Sequence, residues 1–321
     1  MIVWPAELAG DSFKIIGLAP CDGNCHRWAE GRHIGGWFGG LLSATLGGLS
    51  SQRREETVNE LEIVQVPQLK DNYAYVLHCR DEGVACVVDC SEPEAVLQIV
   101  SDLGARLIAL WATHHHWDHI GGHVELLASQ PDLQVLGSRY DLENSRVPGQ
   151  TRGLQDGERV HIGAHSAVAL HVPAHTLGHV AYYFEEAKAL FCGDTLFGAG
   201  CGRLFEGTPE LMHRALNEVL GRLPGDTRVF CGHEYTESNL RFALDVDGEN
   251  QAVIDRMKAV QAARAEGLST VPSRMDLELE TNPFMRLGEP SIREAARRHG
   301  VEDEDNPAEI LGAIRALKNA F

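Results

Sequence analysis

The chain has 321 residues, with 28 Lys and Arg against 46 Asp and Glu, so 28 − 46 gives a net charge of −18. Its 44% apolar and 23% charged residues exclude wholesale disorder and leave material for two domains or one large one. The acidic balance argues against nucleic acid or an anionic membrane surface as a partner, and no apolar stretch reaches the roughly eighteen residues of a membrane helix.

Residues 1–58 read as an N-terminal extension, rich in Gly and Trp and poor in apolar periodicity. It carries Glu7, Asp11, Asp22 and Glu30, unlike acid-poor transit peptides, and lacks the basic start and single apolar block of a secretory signal. The compartment is therefore the cytoplasm, or a mitochondrion or plastid if the extension is a transit peptide. Cys21, Cys25 and His26 form a lone Cys-x3-Cys with no second pair, which makes no metal site. Eight Cys are too sparse for a disulfide scaffold and fit a reducing compartment.

From Leu61 onward, short apolar runs bounded by turn residues predict strands at 61–66, 73–78, 85–88, 107–112 and 133–136, with helices at 92–103 and 122–129. A hairpin is expected from 180–184 and 189–192. Thr208-Pro209-Glu210 opens a helix with a cap, a first-position Pro and an early acid. Beyond Glu234 helical patterns dominate, at 250–266, 291–299 and 306–321. The expected class is α/β, with a catalytic domain at 59–233 and an all-helical domain at 234–321.

Ten of the sixteen histidines fall between His114 and His179, a density that points to metal or acid/base chemistry. The central motif, Thr113-His114-His115-His116-Trp117-Asp118-His119, directly follows a buried apolar run. A tetrahedral catalytic zinc keeps three protein ligands and an open position, so two metals share this loop more naturally than one. Further donors each follow an apolar run: His175 after 169–172, Asp194 after 190–193 and His233 after 229–232. Strand ends of this kind are where open α/β layers place ligands.

Thr-His-x-His-x-Asp-His with the spaced His, Asp and His resembles the metallo-β-lactamase superfamily. Asp71-Asn72-Tyr73-Ala74-Tyr75, Gly193-Asp194-Thr195-Leu196-Phe197, the segment Gly200 to Gly207, Cys231-Gly232-His233-Glu234-Tyr235-Thr236 and Asn282-Pro283-Phe284 resemble glyoxalase II, the hydroxyacylglutathione hydrolases, over about residues 59–321. The resemblance implies an αββα sandwich followed by the helical domain. It implies one metal on His114, His116 and His175, a second on Asp118, His119 and His233, and Asp194 bridging them. Asp89 matches an acid behind the ligands, while His115, His123 and His179 are expected to pack or hydrogen-bond around the site.

The implied reaction is hydrolysis of S-D-lactoylglutathione to D-lactate and glutathione, the second step of methylglyoxal detoxification. Asp118 and Asp194 would act with a hydroxide bridging two divalent ions, zinc first, with iron or manganese as alternatives. Arg203, Tyr235, Arg315 and Lys318 match residues that contact glutathione, and a monomer is expected. Arg203 and Phe205 stand where some relatives carry Lys and Tyr, which alters donor geometry and removes a hydroxyl. A persulfide dioxygenase with one iron, and a catalytically silent glutathione or metal binder, are the competing readings.

Overall fold

The strand β2 (Asn72–Cys79) is buried along its whole length, and its alternate residues enter two different cores. Tyr75, Leu77 and Cys79 point to one apolar cluster, Ala74 and Val76 to another. Period-two alternation of apolar residues on both faces requires a layer on each side of the sheet. The computed structural model describes residues 60–303 and 305–321; the N-terminal extension, with Cys21, Cys25 and His26, lies outside the described residues.

The first sheet runs in chain order: β1 (Glu62–Gln68), β2, β3 (Val84–Val88), β4 (Arg106–Trp111), β5 (Gln134–Ser138) and β6 (Arg152–Leu154). It is antiparallel through β3 and parallel from there on. The second sheet contains β7 (Arg159–Ile162), β8 (His165–His171), β9 (Val180–Phe184), β10 (Ala189–Gly193), β13 (Arg228–Cys231) and β14 (Ser273–Arg274), with β10 and β13 parallel. A small hairpin, β11 (Leu196–Phe197) and β12 (Gly200–Cys201), follows β10.

Between the sheets lie Trp111, Tyr182, Phe184, Phe191 and Phe230, all essentially sealed from solvent. Two tyrosines carry polar tips across this layer. Tyr75 Oη donates to the Cys231 carbonyl at 2.5 Å, and Tyr182 Oη donates to the Ala112 carbonyl at 2.8 Å. Each bond satisfies a carbonyl where a strand gives way to a loop bearing candidate ligands, so packing of the core also anchors the site.

Helices α1 (Pro93–Asp102) and α3 (His123–Ser129) cover the outer face of the first sheet through Val96, Ile99 and Leu126. Between β4 and α3 sits the single turn α2 (Trp117–Ile120), and α4 (Arg139–Glu143) follows β5 with Ser138 as its cap. Thr208 caps α5 (Pro209–His213), accepting from the Leu211 amide at 3.4 Å. The helical run then widens into a π-helical stretch at Arg214–Val219 and tightens to a 3-10 turn at Leu220–Arg222. The remaining helices are α6 (Thr236–Val246), α7 (Gln251–Ala265), α8 (Met275–Thr281), α9 (Pro290–Arg297) and α10 (Pro307–Ala320). Asn250 and Asn306 cap α7 and α10. β14, pairing with β13, is a two-residue strand within this otherwise helical segment. No helix among the described residues is long and apolar enough to cross a membrane.

Side chains from these helices satisfy the backbone of the β11–β12 hairpin. Asn239 donates to the Gly198 carbonyl at 3.0 Å, Asn282 to the Gly200 carbonyl at 2.9 Å, and Arg315 to the Cys201 carbonyl at 2.7 Å. Glu278 accepts from the Ala199 amide at 2.8 Å while its other oxygen takes Arg256 at 2.6 Å. Arg256 and Glu278 are both buried, and Ser273, Thr281 and Asn282 hydrogen-bond to the pair. A buried ion pair is tolerable only when its remaining donors and acceptors are used in this way.

Candidate metal centre

Four chain segments deliver the candidate ligands to one edge of the sandwich. β4 ends at Trp111 and leads through Thr113 into His114, His116, Asp118 and His119; β8 leads to His175, β10 to Asp194 and β13 to His233. At Gly193 the backbone turns left-handed, with φ of +46°, and a Cβ there would lie 2.8 Å from Thr113 Cβ and 2.9 Å from His179 Cε1. Only glycine permits that conformation at that approach. Asp89 ends β3 with φ of +52°, which turns its carboxylate toward the loop after β4.

Among the histidine triad, His116 Nδ1 lies 3.0 Å from both His114 Nε2 and His175 Nε2. His119 Nε2 is 3.4 Å from Asp194 Oδ1 and 3.8 Å from Asp118 Oδ2. His233 Nε2 stands 3.3 Å from Asp194 Oδ2 and 3.5 Å from Asp118 Oδ2, and His175 Nε2 is 3.5 Å from Asp194 Oδ2. Ligands ~2.05 Å from one ion in a tetrahedron are separated by about 3.3 Å, so these spacings suit first-row divalent ions. His119 Nε2 and Asp194 Oδ1 are buried with no hydrogen-bond partner. An orphaned ring nitrogen and carboxylate oxygen aimed at one point are what a cation would satisfy.

The opposite ring nitrogens are occupied. His175 Nδ1 donates to the Arg203 carbonyl at 2.9 Å, His119 Nδ1 to Asp89 at 2.9 Å and His233 Nδ1 to Asp71 at 3.0 Å. Thr113 Oγ1 donates to Asp89 at 2.8 Å, which leaves its oxygen to accept from His114 Nδ1 at 3.0 Å. Acceptors on Nδ1 fix the orientation of each ring and aim its Nε2 inward. Asn72 donates to Asp118 Oδ2 at 3.1 Å, and the Tyr73 amide bonds to the Gly232 carbonyl, so the Asp71-Asn72-Tyr73 segment braces two ligand loops together.

Electrostatics divides the ligands into two groups. Burial lowers the basicity of His114 and His175 and takes His116 down to about 4, so all three are neutral and ready to coordinate. Burial also opposes charge on His119 and His233, but Asp194 outweighs it, with Asp89 helping at His119, and both are raised. Asp194 is itself pushed up by burial, yet His119 and His233 hold it well below the usual carboxylate range. A carboxylate kept anionic among imidazoles is a ready bridging donor.

His115, His123 and His179 are absent from the groups of converging ligand atoms. The ring of His179 stacks on His114 at 4.8 Å, and its Nε2 accepts the Asp194 amide at 3.1 Å. His123 is the buried first residue of α3, and His115 lies 3.7 Å from Asp141 and 3.8 Å from Glu206. Of the four candidate substrate contacts, Tyr235 is partly exposed and stacks on His233 at 4.6 Å, and Arg203 is exposed beside His175. Arg315 is buried, its guanidinium over the Phe284 ring, while Lys318 is half-buried and donates to the Ser238 carbonyl at 3.1 Å. The motif residues Asp71, Asn72 and Thr113 carry orienting duties that no spacing along the chain reveals, because their partners lie on other loops.

Residues 69–233 match the family model for the metallo-beta-lactamase superfamily, and residues 234–321 that for the hydroxyacylglutathione hydrolase C-terminus. The hydroxyacylglutathione hydrolase of Synechococcus sp. (strain JA-3-3Ab) is 49% identical over 261 residues, spanning 81% of this chain and 100% of that protein. That of Methylococcus capsulatus (strain ATCC 33009 / NCIMB 11132 / Bath) is 46% identical over 261 residues, 81% of this chain and 99% of its own length. The crystal structure of ETHE1 from Myxococcus xanthus shares the fold, with a TM-score of 0.55 at 21% identity, over 80% of this chain and 98% of that one. With this superfamily match, the His and Asp cluster marks the chain as one that binds divalent metal. The chain belongs to the hydroxyacylglutathione hydrolase family, an α/β sandwich with a C-terminal helical domain within the metallo-beta-lactamase superfamily.

Proposed function

We propose that the chain hydrolyses S-D-lactoylglutathione and related 2-hydroxyacyl thioesters of glutathione, using two divalent ions, zinc foremost. His114, His116 and His175 would hold one ion, Asp118, His119 and His233 the other, and Asp194 would contact both. The observation that carries this reading is the convergence of ligand atoms whose opposite ring nitrogens are already tied to acceptors. Two bound ions supply Lewis acidity, bringing a water toward a pKa of ~7 and polarising the thioester carbonyl.

The chain's own residues do the rest. Asp194, kept anionic, and Asp118, steadied by Asn72, fix the charge balance of the centre. A thiol leaving group has a pKa near ~8.5, so its departure as thiolate needs far less help from an acid than an amine would. Glutathione carries two carboxylates and one amine, and Arg203, Lys318 and Arg315, with the Tyr235 hydroxyl, would meet its anionic groups as a local positive exception on a chain of net charge −18. Since every proposed ligand comes from one chain, a monomer suffices. The direct test follows loss of thioester absorbance with purified, metal-analysed protein. Absence of turnover at two ions per chain would sink the proposal. Asp194→Asn is expected to lower both metal content and kcat, and full activity in that variant would refute the ligand assignment.

A further inference from the structure

Glu206 contacts no candidate ligand, yet it is bonded directly to the loop that carries His175. Its carboxylate takes both terminal nitrogens of Arg146, one of them at 2.9 Å, and accepts the Leu177 amide at 2.8 Å. The adjacent Gly207 amide donates to the Ala174 carbonyl at 2.9 Å, and a Cβ on Gly207 would lie 2.5 Å from Ala174 Cα. On the other side of Glu206, the Arg203 carbonyl holds His175 Nδ1, and the Phe205 ring makes T-shaped contacts with His116 at 5.5 Å and His175 at 5.2 Å. Segment 203–207 therefore clasps segment 174–177 from both ends, with Glu206 and Arg146 as the charged fastening.

We propose that Glu206, fixed by Arg146, is a positioning residue for the ion held by His114, His116 and His175, acting by setting the ring of His175 through the Leu177 amide and the Arg203 carbonyl. The inference rests on the ligand assignment above. Such partners behind a ligand typically govern 10–100-fold in metal affinity. The Arg146 hydrogen bond also keeps the Glu206 carboxyl down at about 2, so the fastening is ionised at every working pH.

The test titrates zinc into metal-free full-length protein and reads the affinity of each ion by calorimetry. His175→Ala and His233→Ala come first, and each should retain one ion; if either keeps both at parental affinity, the ligand assignment itself fails. In the His233→Ala background, Glu206→Gln should weaken the remaining ion at least about tenfold. In the His175→Ala background the same change should leave the remaining ion within about twofold. Arg146→Gln should reproduce both results, which guards against a defect peculiar to one variant. Parental affinity for Glu206→Gln in the His233→Ala background, with the assignment intact, overturns the proposal. Equal loss in both backgrounds overturns it too, because general damage would not choose between ions.

Discussion

The Glu278→Gln substitution would break the buried pair with Arg256 at its acidic end. Arg256 would then remain buried and charged with no counter-charge, left with the neutral amide oxygen of Gln and the hydroxyls of Thr281 and Ser273 as partners. Removing one member of a buried pair costs about 3–5 kcal/mol, most of it the penalty of the orphaned charge. In a chain of this size each kcal/mol moves the melting temperature by about 2–4 °C, so a fall of roughly 6–20 °C is expected. The assay is a thermal melt of metal-saturated protein at neutral pH, with the parent alongside. A companion, Arg256→Met with Glu278→Leu, should recover part of the loss, leaving about 1–3 kcal/mol for the Ala199 amide left without its acceptor. A shift of less than about 3 °C for Glu278→Gln would refute the reasoning, because it would mean that the guanidinium is not desolvated.

Burial, and secondarily the charge of Arg315, brings the Lys318 ammonium down to about 8. KM for a glutathione thioester should therefore rise between pH 7 and 9 while kcat stays level, and Lys318→Gln should flatten that rise; a parental KM constant to pH 9 would contradict Lys318 as a carboxylate contact. Glu62 is held down to about 2, against an ordinary 4.5, chiefly by its hydrogen bond from Arg80, with His78 adding to it. A depressed carboxyl stabilises the fold fully above its unfolded pKa and loses that contribution as pH falls toward the folded value. Because its main partner, Arg80, is largely open to solvent, the pair is worth at most ~1 kcal/mol. Glu62→Gln should melt a few degrees below the parent at pH 7, and the gap should shrink steadily as pH drops from 4.5 toward 2; a gap independent of pH would rule out the ion pair as its cause.

The strands that carry the site were legible because the apolar runs before Thr113, Asp194 and His233 are continuous and each ends in a polar loop. Hairpin β9–β10 and the Thr208 cap were equally readable, since both depend on neighbouring residues. What escaped was short or distant. β6, β11, β12 and β14 have two or three residues each, too few for alternation to register. α6 begins Thr-Glu-Ser-Asn, a polar turn with no apolar stripe until Leu240. The spacing of Arg315 and Lys318 makes them neighbours on α10, but it could not say that one would be buried and bonded to Cys201 while the other stayed half open. Arg203 is a still subtler case, because the group that orients His175 is its backbone carbonyl, and no side-chain pattern reports a carbonyl.

The β11–β12 hairpin follows Asp194 directly, yet the groups that complete its hydrogen bonding arrive from residues 239, 278, 282 and 315. A chain ending near residue 233 would keep every proposed ligand and lose all four of those bonds, exposing one amide and three carbonyls beside the centre. Recombination that exchanged the helical segment for another would face the same demand: the incoming segment must present donors to three specified carbonyls and an acceptor to one amide. The segment is thus structurally coupled to the hairpin, and substitutions at those four positions should be constrained by a neighbour up to 114 residues away in sequence.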